Sequence, residues 1–363
     1  MTSREKEILK VIRDNPLISQ QDLANSLGLK RSSVAVHIGN LMKKGHIKGR
    51  GYILNNDYVT VIGGSNIDIQ GFSQKKLIQR DSNPGNIMIS VGGVGRNIAD
   101  NLSKLQVNTN LISAVGKDIY GDKILKELRL SGIGTENILI SDKNSTSTYL
   151  SVLDNDGDMN IGLSDMKIFE EITPEFIYEN IGIINNSKIL VLDTNLSKQT
   201  IDFIVNKNKD KDIIIDTVST TKAKKISDIL GEFHTLKPNK YEAEVLSGMK
   251  ITNDIDLKKV GNYFIKKGVK NIIITLGKDG IYYQNNNESG FIKGRDVEVV
   301  NATGAGDAFT ASIIYSYMRK FNLEFSIKFS MAASILALSH KNTINPNMNI
   351  KNIKNTMKEM NLC

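Results

Sequence analysis

The stretch Asn301-Ala302-Thr303-Gly304-Ala305-Gly306-Asp307-Ala308-Phe309 sets small residues directly before a carboxylate, where a helical pattern running from Phe309 to Tyr317 begins. A small-residue turn feeding a helix N-terminus is an anion site. Unpaired backbone N–H groups point out of the first turn, and the dipole adds partial positive charge. Gly304, Ala305 and Gly306 let that backbone approach a ligand closely. Asp307 stands at the same helix start. A base for a hydroxyl proton beside donors for developing negative charge suits phosphoryl transfer to an alcohol. The same residues also read as a glycine-rich turn with Asp307 as a helix cap.

Four further polar stretches could serve such a site. Asn66 and Asp68 close the first strand pattern, Tyr58–Ile62 with its glycines. Two apart on an extended chain, they face the same way and could bind two hydroxyls. Gly92-Gly93-Val94-Gly95-Arg96-Asn97 runs into a helix, with Asn97 one turn inside, and reads otherwise as a helix cap. It lacks Gly-x-Gly-x-x-Gly spacing, which argues against a dinucleotide site. Asn239 and Glu242 sit three apart at a helix start, a pairing that suits water-mediated contact with Mg²⁺ and phosphates, or a capping box. Thr275-Leu276-Gly277-Lys278-Asp279-Gly280 could line a nucleotide or form a hairpin turn.

Positioning these residues requires a sheet. Apolar runs at Thr109–Val115, Lys188–Leu192, Asp212–Ile215 and Asn271–Thr275 read as buried strands. Helical patterns at Gly95–Leu105, Lys123–Leu130, Lys198–Asn206 and Leu257–Lys267 separate them. This alternation predicts a doubly wound α/β domain from residue 57 to 363, with ligands beyond the strand C-termini.

Composition bounds the rest. The 363 residues allow two or three domains, and 40% hydrophobic residues fit a soluble protein. The charged start lacks the apolar core of a signal peptide, and no apolar run approaches membrane-spanning length. The single cysteine, Cys363, excludes an intrachain disulfide and fits a reducing cytoplasm. Four scattered histidines give no zinc constellation.

Charge is concentrated at one end. Residues 1–50 hold ten Lys or Arg against four acids, a net +6 of the chain's +8. Ser3–Arg13, Gln20–Leu27 after a Ser19 cap, and Arg31–Met42 read as three short helices, with Gly28 ending the second. Gly45–Leu54 follows as short strands around a basic glycine turn. Residues 1–56 resemble the winged helix-turn-helix domains of bacterial transcription regulators. The resemblance implies DNA as a partner, with Arg31, Ser32, Ser33 and His37 on the major-groove face and Lys30, Lys48 and Arg50 on phosphates. Docking or dimerisation is the other use of such a module.

In this order, the motifs of residues 58–345 resemble the PfkB (ribokinase-like) family of small-molecule kinases. Its two signatures stand here as Gly92–Asn97 and Thr303–Asp307, joined by Asn239-x-x-Glu242. The resemblance implies a ribokinase-like doubly wound, mainly parallel sheet with a small β lid from about 69–89 and 146–163. It implies Asp307 as base and Gly304, Ala305 and Gly306 as anion hole. Asn66, Asp68, Gly92, Gly93 and Asn97 would hold a sugar. Asn239 and Glu242 would order Mg²⁺–ATP, Glu242 through water, with Thr275, Gly277, Gly280 and Thr303 near the nucleotide. The second signature often opens with Asp, a ligand of a monovalent cation. Asn301 here keeps an oxygen and loses the charge, so a cation requirement stays open. Asp81–Gly85, Thr146–Leu150 with Leu153-Asp154, Ser164–Met166 and Thr343–Pro346 resemble the members acting on pseudouridine. Ser82, Asn83, Thr148 and Asp165 become candidates for the uracil ring, and are otherwise ordinary loop residues. Palindromic DNA and the pairing of lids in this family would both favour a homodimer.

Overall fold

The computed structural model describes residues 1–47, 58–155 and 158–362. By internal contacts the chain divides into two units. One holds Met1–Tyr58 with Glu179–Lys188, and the other holds Val59–Tyr178 with Ile189–Cys363.

In the first unit, helices span Ser3–Asp14, Gln20–Ser26 and Arg31–Lys43. Thr2 caps the first through a capping box with Glu5, and the Ser19 side chain caps the second by accepting from the Asp22 N–H. Ile8, Leu9, Ile12, Leu23, Val34, Ile38 and Leu41 form its core. The Gly45–Leu54 segment lies largely outside the described residues.

The described strands of the second unit, in chain order, are β1 Val59–Ile62, β2 Asn66–Ser73, β3 Gly85–Gly92, β4 Thr109–Gly116, β5 Ile138–Ser141, β6 Thr148–Leu153 and β7 Met159–Asp165. They continue as β8 Ile189–Asp193, β9 Asp212–Asp216, β10 Thr235–Lys237, β11 Asn271–Thr275, β12 Gly280–Gln284 and β13 Ser289–Lys293. Nine form one sheet in the order β13-β12-β11-β10-β9-β8-β1-β4-β5. It is parallel from β11 through β5, with β12 and β13 antiparallel at one edge. Central strands are buried along their whole length, β1 and β8 at every position. Both faces are therefore covered, as crossover helices require. Val59, Val61, Ile189, Val191, Ile214 and Ile273 turn to one core, which the helices Val94–Lys104, Ala305–Met318 and Leu323–Leu338 cover.

The other four strands make a separate sheet, β3-β2-β6-β7. Its register sets Ile69 beside Ile89 and Leu150, and Leu150 beside Leu163. Partners in a ladder share a face, so one side of this sheet is a band of apolar residues. Ile87, Ile89, Ile161 and Leu163 on that band are exposed.

One sequence expectation changes. Asn66 and Asp68 do not close β1. The chain breaks at Gly63–Ser65, and both residues open β2 of the small sheet. The apolar run Val297–Val300 forms no strand and leaves Val299 and Val300 exposed.

Candidate active site

The sheet ends converge on one helix start. The helix begins at Ala305, earlier than the apolar pattern indicated, so Asp307 lies in its first turn. Gly304 caps it with φ 86°, in the left-handed region that glycine enters without strain. A Cβ there would stand 2.3 Å from the Thr343 carbonyl oxygen. Gly304 is thus required by both dihedral angle and space.

Asp307 is buried, and its Oδ2 accepts a 2.8 Å hydrogen bond from Asn97 Nδ2. Burial, with the negative charges of Asp216 and Asp193, pushes its carboxyl up to about 7. The Asn97 bond and the Lys237 ammonium pull the other way. A carboxyl balanced near neutrality is suited to exchange a proton with an alcohol.

Parallel register supplies the surrounding charges. Asp193, Asp216 and Lys237 end β8, β9 and β10 and are neighbours in the ladder. Lys237 Nζ lies 3.1 Å from Asp216 Oδ2. Burial disfavours its charge, but Asp216, Glu242 and Asp307 outweigh that and raise its affinity for a proton. Lys237 Nζ also lies 3.8 Å from where a Cβ on Gly306 would stand, so a fixed cation borders the glycine turn. Thr310 Oγ1 donates to the same Asp216 oxygen. Sequence reading assigned no role to Lys237, Asp216 or Asp193. The available signal was a charge ending each buried apolar strand, where open α/β sheets bind ligands.

Asp193 is fully buried, and one of its oxygens accepts from the backbone N–H groups of Gly64 and Gly95 at 2.7 and 2.9 Å. That carboxylate pins the Gly63–Ser65 break against the first turn of the Val94–Lys104 helix. Gly93, at φ 97°, lets the helix start within 2.5 Å of the Gly64 oxygen, measured from its absent Cβ. Asn66 Nδ2 donates to Asp68 Oδ1 at 2.6 Å. Burial raises the Asp68 carboxyl, against the Asn66 bond and the Arg96 charge. Gly92 packs on Asp68, since a Cβ there would meet its Oδ2.

Asn239 and Glu242 form a full capping box. Glu242 Oε2 also accepts from Thr217 Oγ1 at 2.6 Å, which ties this helix start to the end of β9. The capping-box reading of these two residues therefore holds. Thr275, Gly277 and Gly280 line a cleft of about 600 Å³ together with Lys237, Gly306, Phe309, Val297, Val299 and Leu338. Its size suits a nucleotide-sized ligand. Gly277–Asp279 is the turn between the antiparallel strands β11 and β12, so the hairpin reading of this stretch holds. Thr303 donates its N–H to Asn301 Oδ1, and Asn301 Nδ2 donates to the Lys341 carbonyl, both at 2.9 Å.

The small-sheet candidates are less convergent. Asn83 spends its amide on Ile78 and Asp81, and Ser82 is exposed. Thr148 and Asp165 are ladder partners. Thr148 Oγ1 donates to the Thr146 carbonyl, and Asp165 is exposed.

On the first unit, Lys30, Arg31 and Ser32 are exposed and Ser33 is half-buried. His37 is half-buried as well. It flanks buried Val34 and Ile38, and its Nδ1 is buried without a hydrogen-bond partner. Val36 and Lys43 are exposed on that helix. Lys48 and Arg50 lie outside the described residues. Among the described residues, no helix is long and apolar enough to cross a membrane.

Comparison with known proteins places the fold and the family. Residues 56–350 match the pfkB family carbohydrate kinase model, and residues 1–48 match a winged helix-turn-helix DNA-binding model. The chain is 39% identical to the pseudouridine kinase of Escherichia coli over 82% of this chain and 95% of that protein. It is 34% identical to an uncharacterized sugar kinase, YeiI, of the same organism, over 97% and 98%. A crystal structure of a putative sugar kinase from Clostridium perfringens superimposes with a TM-score of 0.74 and 38% identity, covering 83% and 96% of the two chains. Arabidopsis thaliana ribokinase complexed with ribose and ATP shares the fold, with a TM-score of 0.75, 22% identity, and 83% and 99% coverage. The chain belongs to the PfkB family of sugar and nucleoside kinases, ATP-dependent phosphotransferases, and carries a winged helix-turn-helix ahead of that domain.

Proposed function

We propose that this kinase phosphorylates the 5′-hydroxyl of pseudouridine, with Asp307 as the base. The observation that carries the chemistry is Asp307 itself. It is a buried carboxyl near neutrality, held by Asn97 and set in the first turn behind Gly304–Gly306. Asp307 takes the hydroxyl proton, and Asn66, Asp68 and Asn97 orient the nucleoside. Backbone N–H groups of the glycine turn and the Lys237 ammonium hold negative charge as it spreads. The apolar cleft beside Gly306 takes the purine, with its lining residue Lys237 facing the phosphates and the charge of Glu242 acting on that lysine. Mg²⁺–ATP, when bound, supplies the phosphoryl group and neutralises part of its charge, Glu242 reaching the metal through water. Most of the acceleration then comes from positioning and electrostatics.

The substrate rests on the 39% identity to a pseudouridine kinase across nearly the whole of that protein. The test is ADP release with Mg²⁺–ATP and pseudouridine, uridine, adenosine, ribose or fructose, with mass spectrometry of the product. A monophosphate formed chiefly from pseudouridine supports the assignment. Preference for another acceptor keeps the Asp307 chemistry and discards the substrate.

Asn301 already donates to the Lys341 carbonyl. The Asn301 amide is committed to that hydrogen bond and brings no charge to attract a monovalent cation. Turnover is expected to be unchanged when potassium is replaced by choline, and a marked loss of rate would sink this point.

The winged helix-turn-helix supports a second role, regulation of transcription with the kinase domain as nucleoside sensor. The two roles can coexist where ligand binding favours one DNA affinity over another. Fluorescence anisotropy on genomic fragments, with and without nucleoside, checks it. DNA binding that ignores the nucleoside removes the coupling, and no binding at low salt leaves docking as the module's use.

A further inference from the structure

Arg96 is buried, yet no step above uses it. Its Nη2 lies 3.0 Å from Asp100 Oδ2 and 3.1 Å from Glu127 Oε2. Its Nη1 donates to the Val91 carbonyl at 3.3 Å and to Asn97 Oδ1 at 3.2 Å. The other end of that amide, Asn97 Nδ2, donates to Asp307. Asn97 is further held through its backbone, whose N–H donates to Gly93 and whose carbonyl accepts from Asn101 Nδ2.

We propose that Arg96 is a positioning residue that fixes the orientation of the Asn97 amide, so that an N–H rather than a carbonyl oxygen faces the catalytic carboxylate. This rests on the reading of Asp307 as base. A primary amide has two orientations that differ by a half-turn. With Arg96 present, the turned amide would set its oxygen against Asp307 and its NH₂ against a guanidinium, a mismatch at both ends. Asp100 and Glu127 hold the guanidinium in the plane this requires, a use that a planar fork serves and a point charge does not.

The charges facing Asp307 come from several elements: Asp193 from β8, Asp216 from β9 and Lys237 from β10. Arg96 reaches the base through Asn97. Arg96→Lys therefore keeps the positive charge for Asp100 and Glu127 but loses the fork that also bonds the amide. Asn97 is then free to turn, and its support for the ionised carboxylate weakens. In Arg96→Lys, the acid limb of kcat/KM is expected to move up by about half a unit to one unit. At pH 6 this reads as roughly a three- to tenfold loss, shrinking above pH 8.

Two measurements separate positioning from stability. In an Asn97→Ala background, Arg96→Lys should leave the limb where Asn97→Ala alone puts it. A further shift there would mean that Arg96 acts by another route and overturns the proposal. A carbon-13 carboxyl titration, with the Asp307 signal assigned from Asp307→Asn, reads ionisation without turnover. An upward midpoint in Arg96→Lys supports the proposal even if Asp307 proves not to be the base. An unmoved midpoint in a folded Arg96→Lys protein overturns it.

Discussion

Asp307→Asn is expected to lower kcat by about 10³- to 10⁴-fold while ATP affinity, read by calorimetry, stays near the parent value. The substitution keeps shape and removes only the capacity to take a proton. In the parent, kcat/KM should rise with pH through about 7 and level above it, as the proposed role of ionised Asp307 as base requires. The limb should vanish in the variant. Stability should move in the opposite sense. A carboxyl whose folded pKa is raised binds more protons folded than unfolded, so ionising it costs stability between the ordinary carboxylate range and about pH 7. At pH 8 the Asn variant should melt no lower than the parent. Near-normal turnover would remove Asp307 from its role, and a sharply lower melting temperature would mean that the variant reports on folding.

Lys237→Met is expected to cost about 10²- to 10³-fold in kcat, the scale of losing one preorganised donor, and to move the acid limb upward, since Lys237 favours the ionised Asp307. It also strands Asp216, whose partner it is at 3.1 Å. Breaking one side of such a buried pair destabilises by about 3–5 kcal/mol. The double variant Lys237→Met with Asp216→Asn resolves the two effects. It should recover most of the melting temperature and little of the rate. Recovery of both would make the pair structural only.

The readable part of the site was the part built from local sequence. A glycine turn before Asp307, a glycine pair before Asn97 and a capping box at Asn239–Glu242 each declare themselves within a few residues. The row Asp193, Asp216, Lys237 does not. It exists through the parallel register of β8, β9 and β10, and each charge alone looks like the polar end of an apolar run. Asn66 and Asp68 were recognised as a pair but assigned to the wrong strand, because the break at Gly63–Ser65 depends on packing against Asp193. The Val297–Val300 run has strand composition, but Val297 and Val299 instead wall the cleft. Strand propensity describes a half-buried surface rather than a partner, and here no ladder partner was on offer.

The small sheet has one more consequence, for the order in which the molecule assembles. β2 and β3 form a local antiparallel pair, and so do β6 and β7. The two pairs join through the parallel ladder of β2 with β6, which closes a loop containing β4, β5 and the helices between them. Closing a long loop before its contacts can repay the lost chain entropy is slow. The two hairpins can form early as the chain emerges, but their union must wait for the intervening strands and helices to condense. The small sheet is thus expected to complete late in folding. Early intermediates are expected to hold condensed β4 and β5 before β2 is joined to β6.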